Sequence, residues 1–254
     1  MQLDFTGQVV LVTGASSGIG AAVAREFGRL GAHTVLHYNR NAEGAEETRK
    51  LIEQAGGTAT TVSADLSERG QATRLVDDVQ REHGPIDVLV NNAGDLVRRA
   101  PVAELSDEEF QSVMDLNVAS VFSACRQVVP AMQRRGSGAI VNITSVAART
   151  GGGGGSVVYA TSKGAVSTFT RGLAKEVAGA GVRVNAVAPG IIATPFHDRH
   201  TDDDLMTAMV GGIPMGRAGT PDECVGAVLF LASSAMSGYV TGQTIEVNGG
   251  QLTP

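Results

Sequence analysis

The stretch VVLVTGASSGIG, residues 9–20, runs an apolar, β-branched segment directly into a glycine-rich turn. An uninterrupted apolar run of this length predicts a strand covered on both faces, as strands of parallel sheets are. In the turn TGASSGIG (13–20), Gly14 permits a sharp reversal and Gly18 lets the backbone approach a ligand. Gly20 lets the following helix pack close to the strand. The helix would begin with unpaired N–H groups and the positive end of its dipole, which suits the pyrophosphate of a dinucleotide. Glycine trios also occur in plain packing turns. The strand–turn–helix context is what makes nucleotide binding the reading here.

The same alternation continues along the chain. HTVLHY (33–38), TATTVSA (58–64), DVLVNN (87–92), GAIVNIT (138–144), VRVNAVA (182–188) and TIEVN (244–248) read as further strands, separated by helical patterns. Two helix starts are marked by cap chemistry: Ser106 with Glu109 in SDEEF, and Thr220 with Pro221 and Glu223 in TPDEC. Strand–helix repetition implies an α/β fold, a doubly wound parallel sheet with helices on both faces and right-handed crossovers. No linker interrupts it, so one domain over residues 1–254 is expected. The pentaglycine 151–155 reads as a flexible loop, and 194–217 as an irregular, charged segment.

Composition narrows the partners. A hydrophobic fraction of 43% and a mean hydropathy of +0.05 fit a soluble globular chain. No apolar run reaches the roughly 18 residues of a membrane span, and the N-terminus lacks the basic-then-apolar pattern of a secretion signal. A net charge of −6 argues against nucleic acid as the main partner. The two cysteines, Cys125 and Cys224, lie far apart in apolar helical patterns and read as packed thiols. The cytoplasm is the expected compartment.

In SVVYATSKGAV (156–166), Tyr159 and Lys163 are four apart and share a helix face. A phenol is a poor base at neutral pH, and bringing its pKa from about 10 to about 7 takes ~4 kcal/mol. A cation one turn away in a water-poor cleft can provide much of that.

Taken in order, TGASSGIG, Asp65, NNAG (91–94), Asn117, Ser145, YATSK (159–163) and APG (188–190) followed by Thr194 resemble the short-chain dehydrogenase/reductase family over essentially the whole chain. The resemblance implies a single Rossmann-type domain with about seven parallel strands, and hydride transfer between a carbonyl and a secondary alcohol. It assigns Tyr159 as acid/base and Lys163 to the phenol and the nicotinamide ribose. It places Ser145 at the substrate oxygen, and Asn117 at a water that relays protons from Lys163. At the cofactor it places Gly14, Ser16, Ser17, Gly18, Ile19 and Gly20 of the turn, Asp65 and Leu66 around the adenine, and Asn92, Ala93 and Gly94 along the cleft. Pro189, Gly190, Ile192 and Thr194 complete that set, the last two against the carboxamide. It also implies a homo-oligomer, most often a tetramer. The helices beginning at Ser106 and near Tyr159 would be its dimer surfaces, where Val118, Val121 and Phe122 cover either a partner or the sheet.

An acid after the second strand is the usual partner of the NAD ribose. TVLHYNRNAEG (34–44) has none before Glu43 and offers Asn39, Arg40 and Asn41 instead. Arginine suits a 2′-phosphate, so NADP(H) is expected over NAD(H). The 194–217 segment would cover a small-molecule carbonyl or alcohol, with Met206, Met209, Ile213 and Met215 as an adaptable apolar underside. Its His197, His200 and Asp202 to Asp204 lack a fixed ligand spacing, and no metal is expected. Much of the chain is similar to 3-oxoacyl-carrier-protein reductases, sugar dehydrogenases and, at LHYNRN (36–41), pteridine reductases. Lys175 keeps one basic side chain of the kind that docks an acidic carrier, whereas Pro130 stands where another is expected. A different class of function, a cofactor-binding regulator without turnover, has no need of Ser145, Tyr159, Lys163 and Asn117 together.

Overall fold

Seven short strands form one sheet in the computed structural model, which describes residues 3–253. Met1, Gln2 and Pro254, at the ends of the expected 1–254 domain, lie outside the described residues. The strands are β1 (Val9–Val12), β2 (His33–Tyr38), β3 (Thr58–Ser63), β4 (Val88–Asn91), β5 (Gly138–Ile143), β6 (Val182–Pro189) and β7 (Thr244–Val247). Their order is β3-β2-β1-β4-β5-β6-β7, and every pairing is parallel. In register, Val10 of β1 stands between Thr34 of β2 and Val88 of β4. Strand order reverses between β1 and β4, and a crevice opens at such a point beyond the strands' carboxyl ends.

The helices are α1 (Gly18–Arg29), α2 (Ala42–Gln54), α3 (Gln71–His83), α4 (Asp107–Met114), α5 (Ser120–Arg135), α6 (Ala147–Thr150), α7 (Val157–Val177), α8 (Pro195–His200), α9 (Asp203–Gly211), α10 (Pro221–Ala232) and α11 (Ser234–Ser237). Strand periodicity sorts the core into two layers. Val10 and Val12 of β1 join Phe27 of α1, Ile52 of α2 and Val228 of α10 on one face. Val9 and Leu11 join Leu75 of α3, Val128 of α5 and Val166 of α7 on the other. Both faces of β1 are dry, which is why it reads as an apolar run.

Three segments differ from the sequence expectation. The helix expected from Ser106 does start there, with the full capping box: Glu109 N–H donates to Ser106 Oγ at 3.2 Å and Ser106 N–H to Glu109 Oε2 at 3.0 Å. It is interrupted, however, by a π-helical turn at Asp115–Ala119 before continuing as α5. The 194–217 segment is largely helical, as α8 and α9, with Asp202 capping α9 through the Leu205 N–H at 2.8 Å. The pentaglycine loop is pinned rather than free: Arg99 donates to the carbonyls of Gly153 and Gly154, and Ala100 N–H to that of Gly155. Of the three candidate interface residues, Val121 is buried and Val118 packs on the same layer, while Phe122 is exposed. Among the described residues, no helix is long and apolar enough to cross a membrane.

Candidate active site

The phosphate turn joins β1 to α1 as expected. Gly14 (φ +66°) and Gly18 (φ +55°) occupy the left-handed region, where a side chain is strained. A Cβ on Gly20 would lie 2.2 Å from the Gly14 carbonyl oxygen, so only glycine lets α1 sit this close. The first turn of α1 carries no acidic residue, and its positive end stays open to an anion. Thr13 and Asn92 stitch the turn to β4. Thr13 Oγ1 accepts from the Asn92 and Ala93 N–H groups at 2.9 and 3.0 Å, and Asn92 Nδ2 donates to the Thr13 and Gly14 carbonyls at 2.9 and 3.0 Å.

A residue that the sequence reading passed over supports this turn from behind. His37, at the end of β2, is 2% exposed; its Nδ1 accepts from the Gly14 N–H at 3.1 Å and its Nε2 faces the Ala64 carbonyl at 3.0 Å. A carbonyl can only accept, so the proton sits on Nε2 and the ring is neutral. Burial lowers its pKa, in the same direction. The available signal was a histidine in the buried stretch of β2, beside Val35 and Leu36.

From the turn, a cavity of about 1390 Å³ extends across the carboxyl ends of the strands to α8 and α9. All the residues expected at the cofactor line it except Gly20, whose role is packing. At its outer end, exposed Arg40 stands beside Asn39 and Asp65. The Asp65 carboxyl is held below the usual range first by the Ser67 hydroxyl, at 2.6 Å, with Asn39 and Arg40 adding to it. Asn41 caps α2 by accepting from the Gly44 N–H at 3.0 Å and donates to the Ser16 carbonyl at 3.3 Å, tying this end to the phosphate turn.

At the inner end, Ser145 follows β5 and Tyr159 and Lys163 lie on the first turns of α7. Ser145 Oγ accepts from the Ala147 N–H at 3.1 Å, and its hydroxyl lies within hydrogen-bond reach of the Tyr159 hydroxyl. Lys163 is 4% exposed, donates to the Ile143 carbonyl at 2.9 Å, and stands 5.7 Å from the Tyr159 ring centroid. Burial pulls its pKa down to about 8. The atoms packed around the Tyr159 hydroxyl push that pKa up to about 12; the Asp95 charge adds to the rise, and the Ser145 hydroxyl and Arg99 oppose it. In the cofactor-free cleft Lys163 is not among the groups that act on the phenol. The ammonium is spent on a carbonyl, and desolvation outweighs the favourable groups.

Asn117 lies in the π-helical turn, behind Gly94. Its Nδ2 donates to the Asp95 carbonyl at 2.8 Å and Ser162 Oγ at 2.9 Å, and its Oδ1 accepts from the Asp95 N–H at 2.9 Å. Both amide hydrogens are thus engaged within the protein, which fixes Asn117 in place. A Cβ on Gly94 would lie 3.0 Å from Asn117 Oδ1 and 3.1 Å from Lys163 Nζ, which brings all three groups to one point.

The substrate side is closed by α8 and α9. Phe196 stacks at 5.5 Å from the Tyr159 ring, and His200 Nε2 meets Asp95 Oδ1 at 2.5 Å. His197 Nδ1 pairs with Thr201 Oγ1 at 3.0 Å. The two histidines thus serve separate contacts, and among the described residues no three metal-type ligands gather. The apolar underside consists of Leu205, Ala208 and Met209. Of the other expected members, Met206 is not at the cavity, Ile213 is buried elsewhere and Met215 is 64% exposed.

A family model described as "Enoyl-(Acyl carrier protein) reductase" matches residues 14–251. The chain belongs to the short-chain dehydrogenase/reductase family. Family membership makes it an NAD(P)-dependent oxidoreductase. This short-chain dehydrogenase/reductase is 41% identical to 3beta-hydroxysteroid dehydrogenase 1 of Eggerthella lenta, over 97% of this chain and 94% of the other. It is 40% identical to a 3-oxoacyl-[acyl-carrier-protein] reductase of Thermotoga maritima, over 96% and 97% of the two chains. Among solved structures, a candidate NAD(P)-dependent gluconate 5-dehydrogenase from Beutenbergia cavernae, with NADP bound at low occupancy, is 39% identical. It superposes with a TM-score of 0.91 over 98% of each chain. The relatives' names span steroid, acyl and sugar-acid chemistry on one scaffold.

Proposed function

We propose that this enzyme interconverts a carbonyl and a secondary alcohol with NADP(H), Tyr159 passing the proton. The observation that carries this reading is one continuous cleft, with Ser145, Tyr159 and Lys163 at its inner end and Asn39 and Arg40, with no acid between β2 and Glu43, at its outer end. The protein fits the cofactor at both halves: glycine-only contacts and an acid-free helix start for the pyrophosphate, and a guanidinium for the 2′-phosphate. The NADP seen in the Beutenbergia cavernae relative supports the same choice.

When bound, the nicotinamide supplies or accepts the hydride. The chain's own residues handle the oxygen and the proton. Ser145, its hydroxyl beside that of Tyr159, donates to the substrate oxygen where negative charge develops. A phenol with a pKa near 12 is protonated at neutral pH, so Tyr159 is ready as an acid for carbonyl reduction. Oxidation asks the same group to act as a base, which requires extra positive charge nearby. Lys163, buried beside the ring, is placed to return the proton that Tyr159 gives up. The helices α8 and α9 line the substrate end of the cleft beside these groups. The two cysteines, both free and buried, agree with action in a reducing cytoplasm.

The test is NADPH consumption across acyl, sugar, steroid and quinone carbonyls. At least one class is expected to turn over, faster with NADPH than with NADH. Tyr159→Phe should lower kcat by at least about 100-fold while NADPH affinity is kept, because only the ionisable group is removed. Retention of more than about a tenth of the rate would rule out the acid/base role. No turnover in any class, with NADPH still bound, would point to a cofactor-binding regulator.

A further inference from the structure

Arg99 enters the substrate half of the cleft from the segment after β4, and its partners are unusual. Its Nε donates to the His200 carbonyl at 2.5 Å, and Nη1 donates to the carbonyls of Gly153 and Gly154, each at 3.1 Å. The side chain is therefore fixed between α8 and the pentaglycine loop. Nη2 has one weak contact, Thr201 Oγ1 at 3.5 Å. Every one of these acceptors is neutral. Among the described residues, no carboxylate lies within 4.0 Å of this guanidinium, whereas the nearby Asp95 carboxylate is already shared by His200 at 2.5 Å and Arg199 at 3.6 Å.

Half-buried cations without a counter-charge are costly to keep. Burial already holds the Arg99 pKa below the ordinary arginine value, and Asp202 and the Tyr159 hydroxyl act on it only at longer range. A fixed, undercompensated guanidinium lining a cavity is the arrangement in which an incoming anion gains most. It finds a preset donor and returns no ordering cost to the protein.

We propose that Arg99 is a subsite for a carboxylate on the substrate, so that this enzyme's preferred substrates are oxo- or hydroxy-carboxylates. The inference rests on the reading of the cleft as a carbonyl-reducing site and names the substrate class for it. A carboxylate fits better than a phosphate. A doubly charged group calls for more than one cation, and the second arginine here, Arg199, is 55% exposed and engaged with Asp95. Loss of a contact to a charged group corresponds to a preference of about ten- to a hundredfold.

The experiment uses matched pairs in which only the charge differs: pyruvate, acetoacetate and levulinate, each against its own amide, with NADPH and the full-length enzyme. In the wild type, kcat/KM should favour the acid by about tenfold or more in at least one pair. In Arg99→Gln that preference should fall to about threefold or less, and Arg99→Lys should restore part of it. The ratio within a pair cancels any damage to α8 or the glycine loop, because both members experience it. An acid-to-amide ratio near one for every pair, with the amides turned over, overturns the inference and leaves the carbonyl-reducing reading intact. An equal loss for acid and amide in Arg99→Gln also overturns it, and makes Arg99 a clamp. If no member turns over, calorimetric binding of the three acids to the NADP-loaded protein decides. Binding weakened at least about fivefold in Arg99→Gln supports the subsite, and binding that is absent or indifferent to the variant overturns it.

Discussion

Lys163 shows most directly what the site costs the fold. Its folded pKa of about 8, against 10.5 in the unfolded chain, corresponds to ~3 kcal/mol spent at neutral pH on burying the ammonium. Because the folded value is depressed for a base, the unfolded chain holds more protons between pH 8 and 10.5, and stability rises with pH across that window. Lys163→Met removes the charge and keeps the bulk. In the cofactor-free protein it should raise the melting temperature at pH 7 by several degrees, after allowance for the lost bond to the Ile143 carbonyl, and flatten the rise toward pH 10. The same variant should lose turnover. A melting temperature at pH 7 below that of the wild type would mean that the carbonyl bond, not the desolvation, dominates. The gain in stability and the loss of activity together would mark Lys163 as kept for function.

At the scale of elements, the β1–turn–α1 unit depends on a distance that only glycine allows. Gly20→Ala would place a methyl group against the backbone oxygen of Gly14 and the Asn92 amide, at 2.2 and 2.5 Å. The helix must shift outward, and the N–H groups that face the pyrophosphate go with it. NADPH and NADH affinity should fall together, by about tenfold or more, since neither the turn nor the helix start reads the 2′-phosphate. Titration of both cofactors checks this, and unchanged binding would show that the turn adapts. Such units were legible because their cues are local: an apolar run, glycines at fixed offsets and a helix behind them. The five inner strands were readable for the same reason, since a parallel strand buried on both faces carries its burial in its own residues, whereas the half-exposed edge strands β3 and β7 were readable from their place in the strand–helix alternation. The π-helical turn at Asp115–Ala119 was not, because it concerns which carbonyl an N–H chooses, and no residue type dictates that. Nor was the clamp of Arg99 on α8, whose partner, the His200 carbonyl, is 101 positions away. His37 was hidden likewise, its meaning residing in the Gly14 N–H of a neighbouring strand's turn.

For the whole molecule, the remaining question is what covers its outer helices. α5 presents Phe122, 47% exposed with the Arg126 guanidinium 5.3 Å over its ring, beside Phe169 of α7. On the neighbouring surface Phe110 of α4 and Val157 of α7 are also exposed, at 44% and 39%. Large apolar side chains exposed on α4, α5 and α7 are candidates for covering by a partner. The family resemblance independently implies a homo-oligomer built on these same helices. A self-complementary contact would place each Phe122 near its copy about a two-fold axis, with α5 and α7 of both chains forming a four-helix layer. Sedimentation at micromolar concentration should then give a multiple of the 26.1 kDa chain mass. Phe122→Asp should lower that mass, because a carboxylate at the centre of such a contact meets its like-charged copy and loses its water. Val121→Asp is the wrong test, since that side chain is 5% exposed and belongs to the core. A wild type that sediments at the chain mass would reject the assembly. A mass unchanged by Phe122→Asp would place the contact elsewhere, with Tyr239 and Met236, exposed after α10, as the next surface to change.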